Sequence, residues 1–488
     1  MNTRLFPLLL LLAGIAVSGC TSVEPAKRFP EVQSDAMSRV GHRVEWRQGT
    51  ETDDLVDQRI AALLAEPLGP DEAVQVALFN NPDLQATFEE LGIAQAEVVT
   101  AGQLRNPDIA GFFRFPSSPP SGLNWNIGID VWLLDAFLVP VRQRFANASE
   151  DQTLRLVTLQ IVRLAANTRA AFFALQADAA AVRSQEGLAE VARLALDLSR
   201  TQGAAGNVDD LSVAADRNAY QQAALALLQA RTAERASRER LRTLLGLADQ
   251  PVTWTLVGEA PAPISGEPSE EDLLVLALGS RLDVKAADAE LQRQEYALEL
   301  TKKWWLSTVQ VGAETEESSD RQYTTGPHFS AELPIFNQRQ GEIARQEAVI
   351  RQVQRRRAAL QGQARAEVRT ALQRVTAARE VVDLYRDEIL PLRRATLAAV
   401  QDRYNSMFVG VFELLATKSE LTTAETGFAR ALQDYWTARS DLELAVGTRL
   451  PEVPLPAPST LAPEPAPTPT PTQAPASPSN PHQQHQSR

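Results

Sequence analysis

Within 488 residues the chain repeats one of its own segments about 200 positions later. Asp71-Glu72 and the run Ala77-Leu78…Asp83…Ala86 recur as Glu271-Asp272 and Ala277-Leu278…Asp283…Ala286. The echo continues through Glu90-Leu91 and Glu290-Leu291, and again through Arg169-x-Ala171 and Arg369-x-Ala371. A period this long is a whole duplicated module, not a stack of short repeats. Each copy predicts the same order: a helix, two short alternating segments, then a long helical hairpin.

The alternating segments follow the two-residue period of strands. Trp125, Ile127, Ile129 and Val131 fall on one side, Asn124, Asn126, Gly128 and Asp130 on the other. They are preceded by Ile109 to Phe115 and a turn rich in Pro, Ser and Gly. In the second copy Val309, Val311 and Ala313 alternate with Gln310, Gly312 and Glu314. After a polar loop from Glu317 to Thr325, Phe329, Ala331 and Leu333 alternate with His328, Ser330 and Glu332. Four short strands cannot close a barrel, for which about eight is the practical minimum, and a bilayer tolerates no open sheet edge. Either the strands form a soluble sheet, or several chains pool them; a trimer would provide twelve.

The helices after each strand pair span 143–200 and 338–403, about 1.5 Å of rise per residue. Each is followed by a turn, Gln202 to Asn207 or Ser406 to Gly410, and a returning helix over 209–246 or 411–447. Their apolar residues (Leu154, Leu156, Val157, Leu159, Ile161, Val162 and Leu164 in the first) cover more than one stripe. That breadth suits a helix packed on both flanks, in a bundle or in the wall of a helical cylinder. The division that follows is a signal peptide over 1–19, an anchored segment over 20–68, and repeats over 69–247 and 269–447. A linker occupies 248–268 and a Pro-rich tail 448–488. The tail's composition predicts disorder, because it cannot bury enough apolar area to offset ordering.

Arg4 followed by the apolar stretch from Leu5 to Val17 reads as a secretory signal. Val17-Ser18-Gly19-Cys20 resembles a lipobox, so Cys20, the single cysteine, is expected to carry a diacylglycerol. Thr21 follows it instead of the aspartate associated with inner-membrane retention, which points to the outer membrane. With no other cysteine the mature fold holds itself by packing. A net charge of −13 argues against nucleic-acid partners and favours cationic or neutral cargo.

No catalytic constellation stands out. The histidines His42, His328, His482 and His485 form no ligand pair at zinc spacing, no Gly-rich phosphate loop is present, and no metal or other cofactor is expected beyond the lipid on Cys20. An enzyme is the least supported class. Two acidic positions mark the far ends of the helical hairpins: Asp209-Asp210 opens the first returning helix and Glu413 the second. Acids there meet the helix dipole favourably. In a symmetric assembly they would also ring a pore mouth and favour cations.

Asn80-Asn81-Pro82-Asp83-Leu84, the Leu333-Pro334-Ile335-Phe336 exit from the last strand and the duplicated hairpins resemble the TolC-like outer-membrane efflux proteins, in particular their lipid-anchored branch. The resemblance covers about 68–447. It implies a mainly α chain of long helical hairpins plus four strands, assembled as a homotrimer with a twelve-stranded outer-membrane barrel above a periplasmic helical tunnel. It also implies docking to a periplasmic adaptor and an inner-membrane pump, with passive export through the duct. Glu413 matches a family gate acid and Tyr404 a gate tyrosine, whereas Ala416 and Val409 stand where a second acid and a basic partner are common. Gly206-Asn207-x-x-Asp210-Leu211 is reminiscent of heavy-metal efflux components. The alternatives are a periplasmic adaptor, which normally has one hairpin flanked by β-rich domains, and a structural coiled-coil lipoprotein.

Overall fold

A computed structural model describes residues 23–249, 252–264 and 266–450. The signal segment, Cys20 and the tail beyond 450 lie outside these residues, so the lipid anchor is not placed by it. The order is α1 (Phe29–Val40), α2 (Glu51–Ala65), α3 (Pro70–Asn80), α4 (Pro82–Gly102), β1 (Asp108–Arg114), β2 (Asn124–Val131), α5 (Val139–Ala204) and α6 (Asp210–Leu244). The second copy follows as α7 (Glu270–Ser280), α8 (Leu282–Lys302), β3 (Gln310–Glu317), β4 (Tyr323–Ser330), α9 (Gln340–Leu384), α10 (Leu390–Asn405) and α11 (Val411–Val446). At about 1.5 Å per residue, the 66 residues of α5 run roughly 100 Å. Among the described residues no helix is long and apolar enough to cross a membrane.

The segment before residue 68, which shows no clear period when read as a whole, contains two helices. Phe29, Val32, Ala36 and Val40 recur at spacings of three and four and are buried on α1; Val56, Ile60 and Leu64, each four apart, are buried on α2. Phe29 meets Phe88 edge-on at 5.1 Å between ring centroids, beside Leu154, Val157 and Ile161 of α5. The linker also returns to the fold: Leu68 N–H donates to Thr255 O at 2.8 Å, and Val257 N–H to Leu68 O at 3.0 Å.

The sequence echo has a structural reason. A returning helix leaves its last carbonyls without intrahelical partners, and in each copy the break between the first two helices supplies them. Asn81 Nδ2 donates to Leu244 O at 3.0 Å, and Asn80 Nδ2 to Leu245 O and Gly246 O at 3.0 and 2.9 Å. In the second copy Arg281 Nη1 donates to Ala445 O at 3.1 Å and Ser280 Oγ to Val446 O at 2.5 Å. Both helices end in a left-handed glycine, Gly246 at φ 69° and Gly447 at φ 84°. A Cβ on Gly246 would also overlap the Asn80 carbonyl.

The copies are joined by polar contacts at mid-height. Asp71 faces His42 Nε2 at 3.4 Å, Arg169 Nη2 at 3.5 Å and Arg449 Nη2 at 3.4 Å. The hydrogen bond from His42, then the two guanidinium charges, hold its carboxyl far below the usual range. Arg169 also reaches Glu443 at 3.0 Å, whose carboxyl burial nevertheless pushes up.

The two hairpins differ in one respect. The helix expected as continuous over 338–403 contains a π turn at Tyr385–Ile389, ahead of Pro391. Proline lacks the N–H that would close the normal bond to the preceding turn, so the ladder widens there. Gly427 on α11 leaves room for the Tyr385 hydroxyl. The first hairpin carries the uninterrupted α5 instead.

Candidate functional site: the two-faced sheet and the hairpin tips

All four strands join one antiparallel sheet in the order β1-β2-β3-β4. The last strand, β4, begins earlier than its alternation suggests. The turn is confined to 318–322, β4 ends at Ser330, and Ala331 and Leu333 fall beyond it. Cross-strand pairing across the duplication holds through backbone hydrogen bonds that side-chain alternation alone does not locate.

The register sorts the side chains into two faces. One carries Ile109, Phe113, Trp125, Ile127, Ile129, Val131, Val311, Ala313 and Phe329. Ile109 is 76% exposed, Phe113 64% and Phe329 81%. The same exposed belt continues into Phe115, Phe137, Leu333, Ile335 and Phe336. Aromatic rings cluster at both ends of the strands, including Trp125 against Tyr323 at 6.4 Å, the placement that suits the two edges of a membrane.

The opposite face is mainly polar and partly covered. Asn126 is 9% exposed while its apolar neighbour Ile127 is 48% exposed, the reverse of a soluble sheet packed on a greasy core. Asn126 Nδ2 donates to Glu314 Oε2 at 2.9 Å. His328 Nε2 meets Asp130 Oδ1 at 2.7 Å across the intervening strand. Gly312 lies between these two in the register, and a Cβ there would overlap both side chains. Sequence reading placed His328 in a strand but had no signal for its partner, because the Gly312 gap appears only once β2, β3 and β4 are aligned.

At the other end, the hairpin tips carry the acidic positions. Asp209 caps α6, accepting from Ser212 N–H at 2.9 Å. Hydrogen bonds from the Ser212 side chain and backbone keep its carboxyl below the usual range. Asp210 and Glu413 lie exposed in the first turns of α6 and α11. Of the four tip residues singled out by sequence, only Tyr404 faces the space between the hairpins, a cavity of about 450 Å³ that also touches Ser212, Asp216 and Phe412. Sequence reasoning missed Ser199 and Asp216 on its walls, whose burial depends on how one hairpin lies against the other. Past the cavity Leu211, Met407 and Phe408 project outward, Met407 93% exposed and at a left-handed φ of 62°.

Residues 273–448 match the family model of the outer membrane efflux proteins. No curated protein matches the chain by sequence. Among solved structures, a membrane protein from Pseudomonas aeruginosa is 15% identical, with a TM-score of 0.64 over 78% of this chain and 93% of that one. The CmeC outer membrane channel of Campylobacter jejuni is 16% identical, TM-score 0.60, over 78% and 86%. The MtrE outer membrane channel of Neisseria gonorrhoeae, in its open state, is 15% identical, TM-score 0.60, over 78% and 89%. The second copy thus matches the outer membrane efflux protein family model, and most of the chain has the fold of these outer-membrane channels.

Proposed function

We propose that three copies of this chain form a passive exit duct in the outer membrane, receiving cargo from a periplasmic adaptor and an inner-membrane pump. The observation that carries this reading is the sheet: apolar and exposed outside, polar inside, with β1 and β4 each paired on one side only among the described residues. Such edges are forbidden in hydrocarbon, and three sheets of four strands pass the barrel minimum. The helical hairpins then line the periplasmic half, and the exposed tip residues Leu211, Met407 and Phe408 form the surface on which an adaptor docks. Energy comes from the pump, so the chain needs no catalytic centre. An adaptor role is less favoured, because a soluble adaptor has no use for a sheet with this exposed apolar face.

The direct test is the oligomeric mass of the detergent-purified protein together with conductance in planar bilayers. Trimers giving cation-preferring currents support the duct; monomers without conductance overturn it. Glu413, with Asp209 and Asp210, is assigned to the cation-favouring mouth. Glu413→Gln is expected to lower cation preference, seen as a reversal potential moved toward zero in a salt gradient; an unchanged potential removes Glu413 from that role.

The lipid anchor is a separate part of the proposal. A diacylglycerol on Cys20 would hold each chain at the membrane surface, with about 0.8 kcal/mol per buried CH₂. Cys20→Ala is expected to abolish incorporation of labelled fatty acid in cells while trimers still form. Persisting label refutes the assignment.

A further inference from the structure

The cavity between the hairpin tips has a composition that the duct reading does not use. Its lining combines the polar Ser199, Gln202, Ser212, Asp216 and Tyr404 with apolar residues that include Phe412. Ser199 is 4% exposed and Asp216 5%. The Ser199 hydroxyl has no hydrogen-bond partner among the described residues, and no hydrogen bond or ion pair reaches the Asp216 carboxylate there. A buried hydroxyl left this way carries a desolvation cost that a complementary ligand removes.

We propose that this cavity binds a small organic ammonium ion with an apolar body, one per chain, bridging the two hairpin tips. Asp216 supplies the counter-charge, and the Ser199 oxygen accepts one of the ammonium N–H bonds. Tyr404 and Phe412 present aromatic rings, which attract organic cations, and the aliphatic wall takes the hydrocarbon part. A hard divalent metal fits less well, since such ions take six or more oxygen ligands and the cavity offers one carboxylate. The volume of about 450 Å³ lies in the range of small-molecule sites. The site rests on the fold of a single chain and not on the duct reading. Binding without conductance would leave it standing, and conductance without binding would leave the duct standing.

Isothermal titration of the full-length, detergent-purified protein tests it, with phenethylammonium chloride as probe and 2-phenylethanol as its neutral counterpart. Saturable binding of the ammonium, one per chain, is expected with a dissociation constant below about 1 mM. The alcohol should bind at least tenfold more weakly. Asp216→Asn should erase that difference and Ser199→Ala weaken the ammonium several-fold, while Asp402→Asn, at an exposed acid outside the cavity lining, leaves binding unchanged. Val411 also lines the cavity, and Val411→Trp, which fills it and keeps Asp216, should also abolish binding; its helicity and oligomeric mass verify folding. Equal affinity for probe and alcohol overturns the proposal. So does ammonium binding that survives both Asp216→Asn and Val411→Trp, or that disappears in Asp402→Asn.

Discussion

Replacing Ile127 with arginine is expected to prevent stable trimers from forming in the membrane. Ile127 sits at mid-strand on the exposed apolar face, in register with Thr315 of β3 and Gly111 of β1. A guanidinium at the middle of a lipid-facing barrel wall costs about 2–4 kcal/mol, and a threefold assembly incurs that cost three times. The measurement is the fraction of heat-resistant trimer extracted from outer membranes, alongside single-channel conductance. Thr324→Arg is the control, since Thr324 pairs with Glu316 on the polar face and an arginine there meets water and carboxylates. If Ile127→Arg assembles as well as Thr324→Arg, the apolar face does not meet lipid.

The second large effect concerns the N-terminal helices. Phe88 is fully buried on α4, with Phe29 at 5.1 Å and Trp46 at 6.5 Å between ring centroids. Phe88→Ala removes the ring that α1 and the following segment pack against. Loss of a buried phenylalanine costs about 3–5 kcal/mol, part transfer free energy and part cavity. The expected result is a clear fall in the detergent unfolding midpoint, with new protease cleavage between residues 23 and 50. Wild-type protease resistance in that segment would mean that α1 is held mainly by its polar contacts. Those include Arg28 to Asp151 at 2.6 Å and Arg39 to the carbonyls of Ser280 and Gly447 at 2.7 and 2.8 Å.

Much of the architecture was legible because it is periodic. The two-residue alternation of Trp125 to Val131 and the long apolar stripes of α5 and α11 announce strand and packed helix without reference to the rest of the chain. The duplication announced that each appears twice. The π turn was less visible, since Pro391 is a common helix interruption and gives no account of Tyr385 or Gly427. The helices α1 and α2 carry regular stripes, but charged residues between them dilute the signal over the segment as a whole.

The candidate sites divide along the same line. Asp209, Asp210 and Glu413 could be placed at helix starts from sequence, because turn residues and N-terminal acids are local features. Tyr404 was identified by resemblance alone, and its place in one cavity with Asp216 needed both hairpins in position. The Asp130–His328 pair, 198 residues apart, exists only because Gly312 leaves the intervening strand bare.

Sequence by itself determined the duplicated module, its strands and hairpins and their apolar faces, since each depends on side-chain spacing over a few turns of chain. The tertiary structure alone decided how each copy caps its own returning helix, with Asn80 and Asn81 in the first and Ser280 and Arg281 in the second, and how the copies interlock, through Arg169 to Glu443 and Asp71 to Arg449. It also decided which polar groups are buried together at mid-height and between the tips. Many of these contacts join residues more than a hundred positions apart, and burial, unlike periodicity, is a property of what lies opposite.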